Sequence, residues 1–407
     1  MIRPFFTEIN SPSPTLSGSY EVFNESLKKD GETFVSSTPR KRDKRSQVIT
    51  YLNAEEADRV SLNKYIWSYK QNEFFPGSCK DLNYKTAIYR FDPNGNKSYP
   101  RKRHHISEIT VLESDSKRYI YGLPVYTKLQ KEVSFSTGKT QAVTDANGLV
   151  GYLKSYCANG ICISGENSID NKAKPSPPQW KTEEFFQSQK IENFAHSFLL
   201  TEILSPDYVD VKGDGVTDDD LGTSVKFNYS CVNLESGNNE YFKWRYPAAD
   251  GKAVFNIGLK TDEADNKANY SYGSKELWYL HTIESKNMVA TFRISQRNDG
   301  LQAAGENGGI NKNVCQRKLD RIDLYTKAAF VKKAENPNYV LKPVKTVHFE
   351  YDYSLCGNMP TNDGQAIDKY GNLLTEPNSN SNINLKKGKL ALKKVWFTYN
   401  GSSKKKG

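Results

Sequence analysis

The strongest constraint on the fold is a strict alternation of apolar and polar residues near the C-terminal end of the chain. In KTVHFEYDY, the apolar residues are Val347, Phe349, Tyr351 and Tyr353, and every residue between them is polar. Because successive side chains of a β-strand point to opposite faces, this pattern is typical of a half-buried antiparallel strand. The form Val-x-Phe-x-Tyr recurs at residues 225–229 and 395–399. We predict three strands that direct these side chains into a common core.

The composition favours the same fold class. The 407 residues include 25 Tyr and 19 Phe but only 3 Met, and aromatic side chains suit strands. Short apolar runs bounded by Gly, Pro, Asn, Asp or Ser follow one another from residue 85 onward. The sequence therefore predicts a mainly β protein of antiparallel sheets, arranged as a sandwich or a shell, with long loops and one or two short helices.

Proline content suggests where the chain divides. Residues 175–178 contain three prolines, which continue neither a strand ladder nor a helix. We predict a flexible N-terminal segment at 1–46, a β-rich region at 47–174, a proline-rich linker at 175–179 and a second β-rich region at 180–407. We expect the two β-rich regions to pack independently.

The net charge of +10 raises the question of nucleic-acid binding. The basic clusters at 39–45, 100–105 and 404–406 are short and scattered, and no nucleic-acid-binding motif surrounds them. We therefore expect solvated loops and no nucleic-acid partner. No run of 18 apolar residues occurs, so we expect no transmembrane segment, and the N-terminus lacks the apolar core of a secretory signal.

The cysteines and histidines supply no catalytic or zinc-binding motif. The six cysteines form no CxxC pair, and no histidine stands at metal-ligand spacing from them. Cys157 and Cys162 either bridge across a turn in an oxidising compartment or stay reduced, and the sequence leaves both alternatives open. Nucleophile and phosphate-loop motifs are also missing. We assign no catalytic and no organic cofactor-binding residues.

The segment DVKGDGVTDDD at residues 210–220 carries the most specific chemistry. An EF-hand-like loop places oxygen ligands at positions 1, 3, 5 and 9 and glycine at position 6, because calcium gathers six to eight oxygens. Asp210, Asp214, Gly215 and Asp218 match positions 1, 5, 6 and 9. Lys212 occupies position 3, and Leu221 replaces the usual glutamate, for which Asp219 or Asp220 could substitute.

This pattern predicts a calcium site of weak affinity, with a Kd of about 10⁻⁴ to 10⁻³ M. Its expected ligands are the carboxylates of four aspartates and one backbone carbonyl: Asp210, Asp214, Val216, Asp218 and Asp220. The alternative is an acidic turn in which the aspartates bond to their own backbone.

Several strand phrases resemble very large, mostly uncharacterised exported or cell-surface proteins of Bacteroidetes. They include FAHSFLLTEILSPDYVDVKGDGVTDDDLGTSVKFNYS, KELWYLHTIESKNMVATFRIS and PVKTVHFEYDYSLC, and in the first half HHISEITVLESDSKRYIYGLPVYTKLQKEVSFS. Such proteins are distantly similar to Rhs-repeat and toxin-complex shell proteins, although the tyrosine-aspartate repeats of that family are missing here. The resemblance implies an extracellular or cell-surface location and a longer native chain.

Together these features predict a non-catalytic structural or binding module of a large secreted or surface-exposed bacterial protein. Its partner would be an extracellular protein or glycan. The alternative is a carbohydrate-active hydrolase, because two carboxylates from distant strands leave no local trace in a sequence.

Overall fold

The structure is a computed structural model of the chain. It describes residues 28–30, 33–35, 47–60, 62, 65–69, 85–92, 94–95, 99–136, 149–151, 155–158, 161–164, 186–231, 241–249, 251–256, 267–336, 338–353 and 389–402. The chain divides into two compact units, Met1–Val48 and Ile49–Gly407. In the first unit, strands β1 (Lys28–Asp30) and β2 (Thr33–Val35) form an antiparallel hairpin.

The described residues from position 47 onward form twenty further strands and two helices. The elements of the first half are β3 (Gln47–Asn53), α1 (Ala54–Arg59), β4 (Tyr65–Tyr69), β5 (Lys85–Tyr89), β6 (Ile106–Glu113), β7 (Arg118–Tyr121), β8 (Leu123–Ser136), β9 (Leu149–Gly151), β10 (Ser155–Ala158), β11 (Ile161–Ser164) and β12 (Phe186–Leu199). Those of the second half are β13 (Glu202–Leu204), β14 (Ser224–Cys231), β15 (Phe242–Tyr246), β16 (Lys252–Asn256), β17 (Lys267–Lys275), β18 (Trp278–Ser285), β19 (Met288–Gly305), β20 (Gly308–Thr326), α2 (Lys327–Glu335), β21 (Lys345–Asp352) and β22 (Ala391–Tyr399).

Two large sheets account for most of these strands. The larger has ten strands in the order β22-β21-β20-β19-β18-β14-β13-β7-β6-β3. The smaller has six, with the path β12-β8-β17-β16-β9 and β15 also paired to β17. Every strand pair whose register is known is antiparallel. The predicted fold class, mainly β with antiparallel sheets and two short helices, is therefore confirmed.

The two β-rich regions expected from the proline pattern share their sheets. Strand β8, from the first region, pairs with both β12 and β17 from the second. Strand β7 likewise pairs with β13. The expected linker at 175–179 lies outside the described residues. The prediction that the regions 47–174 and 180–407 pack independently is therefore wrong, because backbone hydrogen bonds of both large sheets join them.

A buried ion pair lies where the chain passes from the smaller sheet to the larger one. Glu276 directly follows the last residue of β17, and one further residue separates it from the start of β18. Its two carboxylate oxygens accept from the Arg101 guanidinium at 2.6 and 2.8 Å. The same carboxylate accepts the backbone N–H of Tyr126 in β8 and the indole N–H of Trp278 in β18. One carboxylate thus ties both sheets and the segment before β6 together.

The smaller sheet contains an apolar core cluster. Its buried members come from four adjacent strands, β8, β17, β16 and β9, and are Val133, Phe135, Val150, Ala253, Ala268, Tyr270 and Tyr272. These side chains occupy alternate positions of paired strands, so they line one face of the sheet.

The larger sheet distributes its apolar residues differently from the prediction. The three Val-x-Phe-x-Tyr segments do form strands, β14, β21 and β22. However, Phe349 is only half-buried, and in β22 Val395 and Phe397 are each 43% exposed and Tyr399 is 53% exposed. The prediction of a common core is wrong for β22 and holds only partly for β14 and β21.

A row of polar side chains on the opposite face of the same strands is buried instead. It runs through six neighbouring strands by direct cross-strand pairing: Asn228, Thr282, Thr291, Asp323, Thr346 and Thr398. Its members bond to one another, since the Asn228 amide donates to Thr282 Oγ1 at 2.8 Å and the Thr346 hydroxyl donates to Asp323 at 2.8 Å. Hydrogen bonding offsets the cost of burying these four groups, whereas the Thr291 hydroxyl in the same row is buried without a hydrogen-bond partner among the described residues.

The other face of this sheet, called here the apolar face, is half-buried or exposed. Its members lie on the six strands from β14 to β22 and pair directly across them: Phe227, Ile283, Ala290, Phe292, Ile322, Leu324, Val347, Phe349, Val395, Phe397 and Tyr399. The ammonium group of Lys345 lies 4.4 Å from the ring centroid of Phe397. This face lacks the complete covering that the sequence pattern predicted.

The helices are defined by their caps. Helix α1 starts at a capping box, in which the Asn53 side chain accepts from Glu56 N and the Glu56 side chain accepts from Asn53 N. Helix α2 starts at Thr326, whose hydroxyl accepts from Ala329 N. Phe330 of α2 packs against Val289 and Tyr325. Helix α2 therefore covers one end of the polar face of the larger sheet.

Replacement of a phenylalanine by alanine should reduce stability much more in the smaller sheet than in the larger one. Phe135→Ala should lower the free energy of unfolding by about 3 to 5 kcal/mol, because the ring is buried in the smaller sheet. Phe397→Ala should lower it by at most about 1 kcal/mol, because that ring is half exposed. Urea unfolding of both variants measures the difference. Equal losses would contradict the burial of the two faces.

Candidate functional site

The acidic loop connects β13 to β14 and is closed at its base by the backbone. Val209 and Leu221 form an isolated antiparallel bridge, with N–O distances of 3.3 and 3.1 Å. Gly222 has φ +75°, and a Cβ built there would lie 2.6 Å from the Asp207 carbonyl oxygen. The chain requires glycine at this position, and the loop begins and ends at fixed points on the larger sheet.

Asp210 shapes the first half of the loop. Its Oδ1 accepts from Gly213 N at 2.7 Å and its Oδ2 accepts from Gly215 N at 3.0 Å. Both glycines have positive φ, +71° and +85°, which L side chains rarely adopt. The Gly215 turn expected from the sequence is therefore present, and Asp210 stabilises it through backbone N–H groups.

Asp220 organises the second half. Its side chain is buried and accepts from the Tyr208 hydroxyl at 2.7 Å, from Thr217 N at 2.7 Å and from Val211 N at 3.2 Å. The Thr217 N–H, followed by the Tyr208 hydroxyl, lowers the pKa of Asp220. Burial, followed by the hydrogen bond to Asp220, raises the pKa of Tyr208. Asp220 is thus an ionised hydrogen-bond acceptor at neutral pH.

Lysines from three other elements bind further oxygens of the loop. Lys327 at the start of α2 pairs with the Asp218 carboxylate. Lys226 of β14 donates to the Val216 carbonyl at 3.1 Å, and Lys286 of the β18–β19 turn donates to the Asp220 carbonyl at 2.9 Å. These lysines connect the loop to three elements of the larger sheet and its covering helix.

Lys212 belongs to the loop itself and neutralises Asp219. Their side chains lie 2.8 Å apart, and both are largely exposed. The hydrogen bond from Lys212, with another from Thr217, lowers the pKa of Asp219 to about 2. Lys212 therefore faces solvent, as a calcium loop would require, while it binds one of the acidic side chains.

The loop brings together three of the five predicted calcium ligands. The carboxylates of Asp210, Asp214 and Asp220 each offer an oxygen within 4.8 Å of the others. Val216 and Asp218 are engaged by Lys226 and Lys327. Calcium takes six to eight oxygens, so these three carboxylates fit it only with water or with release of the two lysine-bound groups.

The structure also brings together two carboxylates that no sequence pattern connects. Burial is the main cause that raises the pKa of both Glu108 of β6 and Glu202 of β13, and the charge of Glu108 further raises the pKa of Glu202. Arg90 lies beside them, 3.9 Å from Glu108. Because these residues come from separate strands, only the pairing of the sheet places them together.

The histidines that interrupt apolar runs have structural contacts. His348 stacks on Trp396 with ring centroids 5.0 Å apart, and its Nε2 lies 2.9 Å from Thr398 Oγ1. His281 is buried in β18, and its burial is the main cause that lowers its pKa to about 4.

The two cysteines for which the sequence left a disulfide open face each other in the backbone pairing. Cys157 and Cys162 occupy directly opposed positions of the β10–β11 hairpin.

Comparisons with protein families, with curated proteins and with solved structures found no match for this chain. Among the described residues, no helix has the length and apolar content needed to cross a membrane. The chemistry of the site therefore has to be argued from its own geometry.

The hydrogen bonds of the acidic loop predict different roles for two of its aspartates. In buffer with EDTA, Asp220→Ala should destabilise the fold, because a buried donor without an acceptor costs about 1 to 3 kcal/mol. Asp214→Ala should have little effect on the free energy of unfolding, since Asp214 is exposed. Urea unfolding of the full chain tests this contrast, and equal effects would contradict it.

The same loop predicts a direction for the pH dependence. The folded pKa of Asp220 is lowered, so its contribution is complete above its unfolded pKa of about 3.9 and disappears as pH falls through the lower folded value. The difference in stability between the parent and Asp220→Ala should therefore shrink below about pH 4. A constant difference down to the lowest pH at which the parent folds would contradict this role.

Proposed function

We propose that the chain is a non-catalytic structural or binding module of a large secreted or surface-exposed bacterial protein. The observation that supports this most directly is the apolar face of the ten-stranded sheet. Broad apolar surfaces that stay accessible are typical of protein interaction sites. In this proposal the face packs against a neighbouring β-rich part of the same large protein.

The edge of the sheet favours contact through the face over addition of a further strand. β22 is an edge strand, and both Lys393 and Lys394 are exposed along it. Lysines on an edge strand disfavour pairing with another strand. The exposed rings of Phe397 and Tyr399 belong to the same strand but lie on the apolar face. A partner therefore gains most by covering this face.

Hydroxyl-radical footprinting tests the proposed contact. The 407-residue chain should be compared with the longest product of the reading frame that encodes it. Phe397 and Tyr399 should be modified in the shorter chain and protected in the longer one, whereas exposed Trp67 on the β4–β5 hairpin should react similarly in both. Unchanged modification of Phe397 and Tyr399, or a reading frame that encodes only an unexported 407-residue protein, would overturn the proposal.

The acidic loop adds a second part to the proposal, namely weak calcium binding by Asp210, Asp214 and Asp220. Their three carboxylates converge, and the two glycine turns hold the backbone in a curled conformation. Four lysines already balance much of the loop's charge, which supports a millimolar Kd and no tighter binding.

Calcium titration of the full chain, followed by thermal unfolding, tests this site. Calcium at ten times the Kd should stabilise the folded chain by about 1.4 kcal/mol through mass action. The stabilisation should be lost in Asp214→Ala, which leaves the hydrogen bonds of Asp210 and Asp220 in place. No shift in the parent, or an equal shift in Asp214→Ala, would leave only a lysine-bound acidic turn.

A carbohydrate-active hydrolase is the second candidate, and Glu108 and Glu202 are the observation that favours it. Glycosidases use two carboxylates, of which the acid has a raised pKa. Arg90 and Lys226 nevertheless act on this pair as structural counter-charges. Hydrolysis of a glycan by the chain that is lost in Glu108→Gln and kept in Glu306→Gln would favour the enzyme over the module.

A further inference from the structure

A pocket lies between the acidic loop, the polar face of the larger sheet and helix α2. Its wall of basic and hydroxyl groups is formed by Lys226, Lys286, Lys327, Thr217, Ser224 and Ser285. Val289, Phe330 and Val331 form an apolar wall on the α2 side. The backbone N–H of Lys327 donates to the Asn287 carbonyl at 2.8 Å, so α2 and the β18–β19 turn are held together at the pocket.

The three amines retain unused donors. An ammonium group offers three N–H donors, and each of these lysines has one hydrogen-bonded oxygen in the loop. Lys327 is only 19% exposed, so its charge lies in a poorly solvated position where an anion is favoured. The pocket therefore concentrates positive charge that a negative group can bind.

The start of α2 adds to this charge. The nine-residue helix has no acidic residue in its first turn, and Lys327 is its first residue. Because the N-terminal end of a helix carries a partial positive charge, a carboxylate near it is stabilised. Asp218 is the carboxylate that pairs with the side chain of Lys327, the first residue of this helix.

Asp218 is a displaceable partner. Its side chain is 67% exposed, and its described contact is the one with Lys327. Glu284, the other acidic residue of the pocket, is instead turned toward the polar row, since it accepts from the Asn228 amide at 2.7 Å. Among the residues that line the pocket, three lysines would face one carboxylate without Asp218, and Lys226 also acts as a counter-charge to Glu202 outside it.

We propose that this pocket binds a small organic carboxylate that carries an apolar group. The ligand carboxylate replaces that of Asp218 on Lys327 and reaches Lys226 or Lys286, while its apolar part lies against Phe330 and Val331. The mixture of amines, hydroxyls and an apolar wall matches an amphiphilic anion better than a bare ion. The site does not depend on the role of the apolar face, which lies on the other side of the sheet.

Binding of benzoate, acetate and inorganic phosphate to the full chain in EDTA tests this inference by isothermal titration and NMR. Benzoate should bind more tightly than acetate, because only benzoate can use the apolar wall. Phosphate should bind no more tightly than acetate. Equal affinities for benzoate and acetate, or preferred binding of phosphate, would overturn the proposed ligand class.

Two matched pairs of variants locate the site. Asp218→Asn should tighten benzoate binding several-fold, because it removes the tethered competitor. Asp219→Asn changes the charge equally, but its partner Lys212 lies outside the pocket, so affinity should stay near that of the parent. Lys327→Met should abolish binding, whereas Lys332→Met, at the other end of α2, should not.

These variants keep the test decisive even if one of them is unstable. Asp218 and Asp219 are both exposed, so their substitution leaves the fold intact. Tightening in Asp218→Asn alone supports the pocket. Equal tightening in Asp218→Asn and Asp219→Asn would indicate a general charge effect and overturn the site, as would weaker binding in Asp218→Asn.

Discussion

The arrangement of the two sheets depends on the buried ion pair between Arg101 and Glu276. Glu276 stands at the crossing from β17 to β18, and its carboxylate accepts four hydrogen bonds from both sheets and from Arg101. Burial lowers the pKa of Arg101, and the adjacent Glu276 more than offsets this effect, so the guanidinium stays charged. Loss of one partner would leave the other as an uncompensated buried charge, which is far more costly than loss of the pair.

This ion pair also joins the two regions that the proline pattern had separated. Arg101 and Tyr126 come from one predicted region and Glu276 from the other, yet they form one network in the interior. The Arg101 guanidinium lies 4.8 Å from the ring centroid of Tyr126. Prolines mark places where regular structure stops, but they say nothing about which strands pair afterwards. The local sequence pattern could therefore not predict which strands from the two regions pair with each other.

The strands themselves were predictable, whereas their environment was not. Alternation in β21 correctly identified a strand with two unlike faces. It could not tell which face is covered, because burial depends on the neighbouring strands and on α2. Thr346 is buried since it pairs with Asp323 in a hydrogen-bonded row, and Phe397 is half exposed although it is the more apolar residue. A period of two residues identifies a strand with two different faces, but only tertiary packing decides which of these faces is buried.

The acidic loop shows the same limit of prediction from sequence, because contacts from distant elements are not visible in its local pattern. Its sequence indicated a glycine turn, and the structure has Gly215 at positive φ, with the carboxylates of Asp210, Asp214 and Asp220 close together. It could not predict Lys226, Lys286 and Lys327, which reach the loop from distant elements. Because these lysines already bind oxygens of the loop, a cation would have to compete with them for the same oxygens.

Asp218 connects the two proposed ligands of this part of the molecule. Asp218 is not among the three carboxylates that converge in the loop, but the sequence predicted it as a calcium ligand, and it cannot reach an ion there while it pairs with Lys327. A carboxylate ligand on Lys327 would free Asp218 for calcium, and calcium bound to Asp218 would free Lys327 for the carboxylate. Since coupling between two binding sites is reciprocal, each ligand would then strengthen the binding of the other. If calcium recruits Asp218 as a further ligand, this one exposed side chain would link the proposed cation site to the proposed anion site.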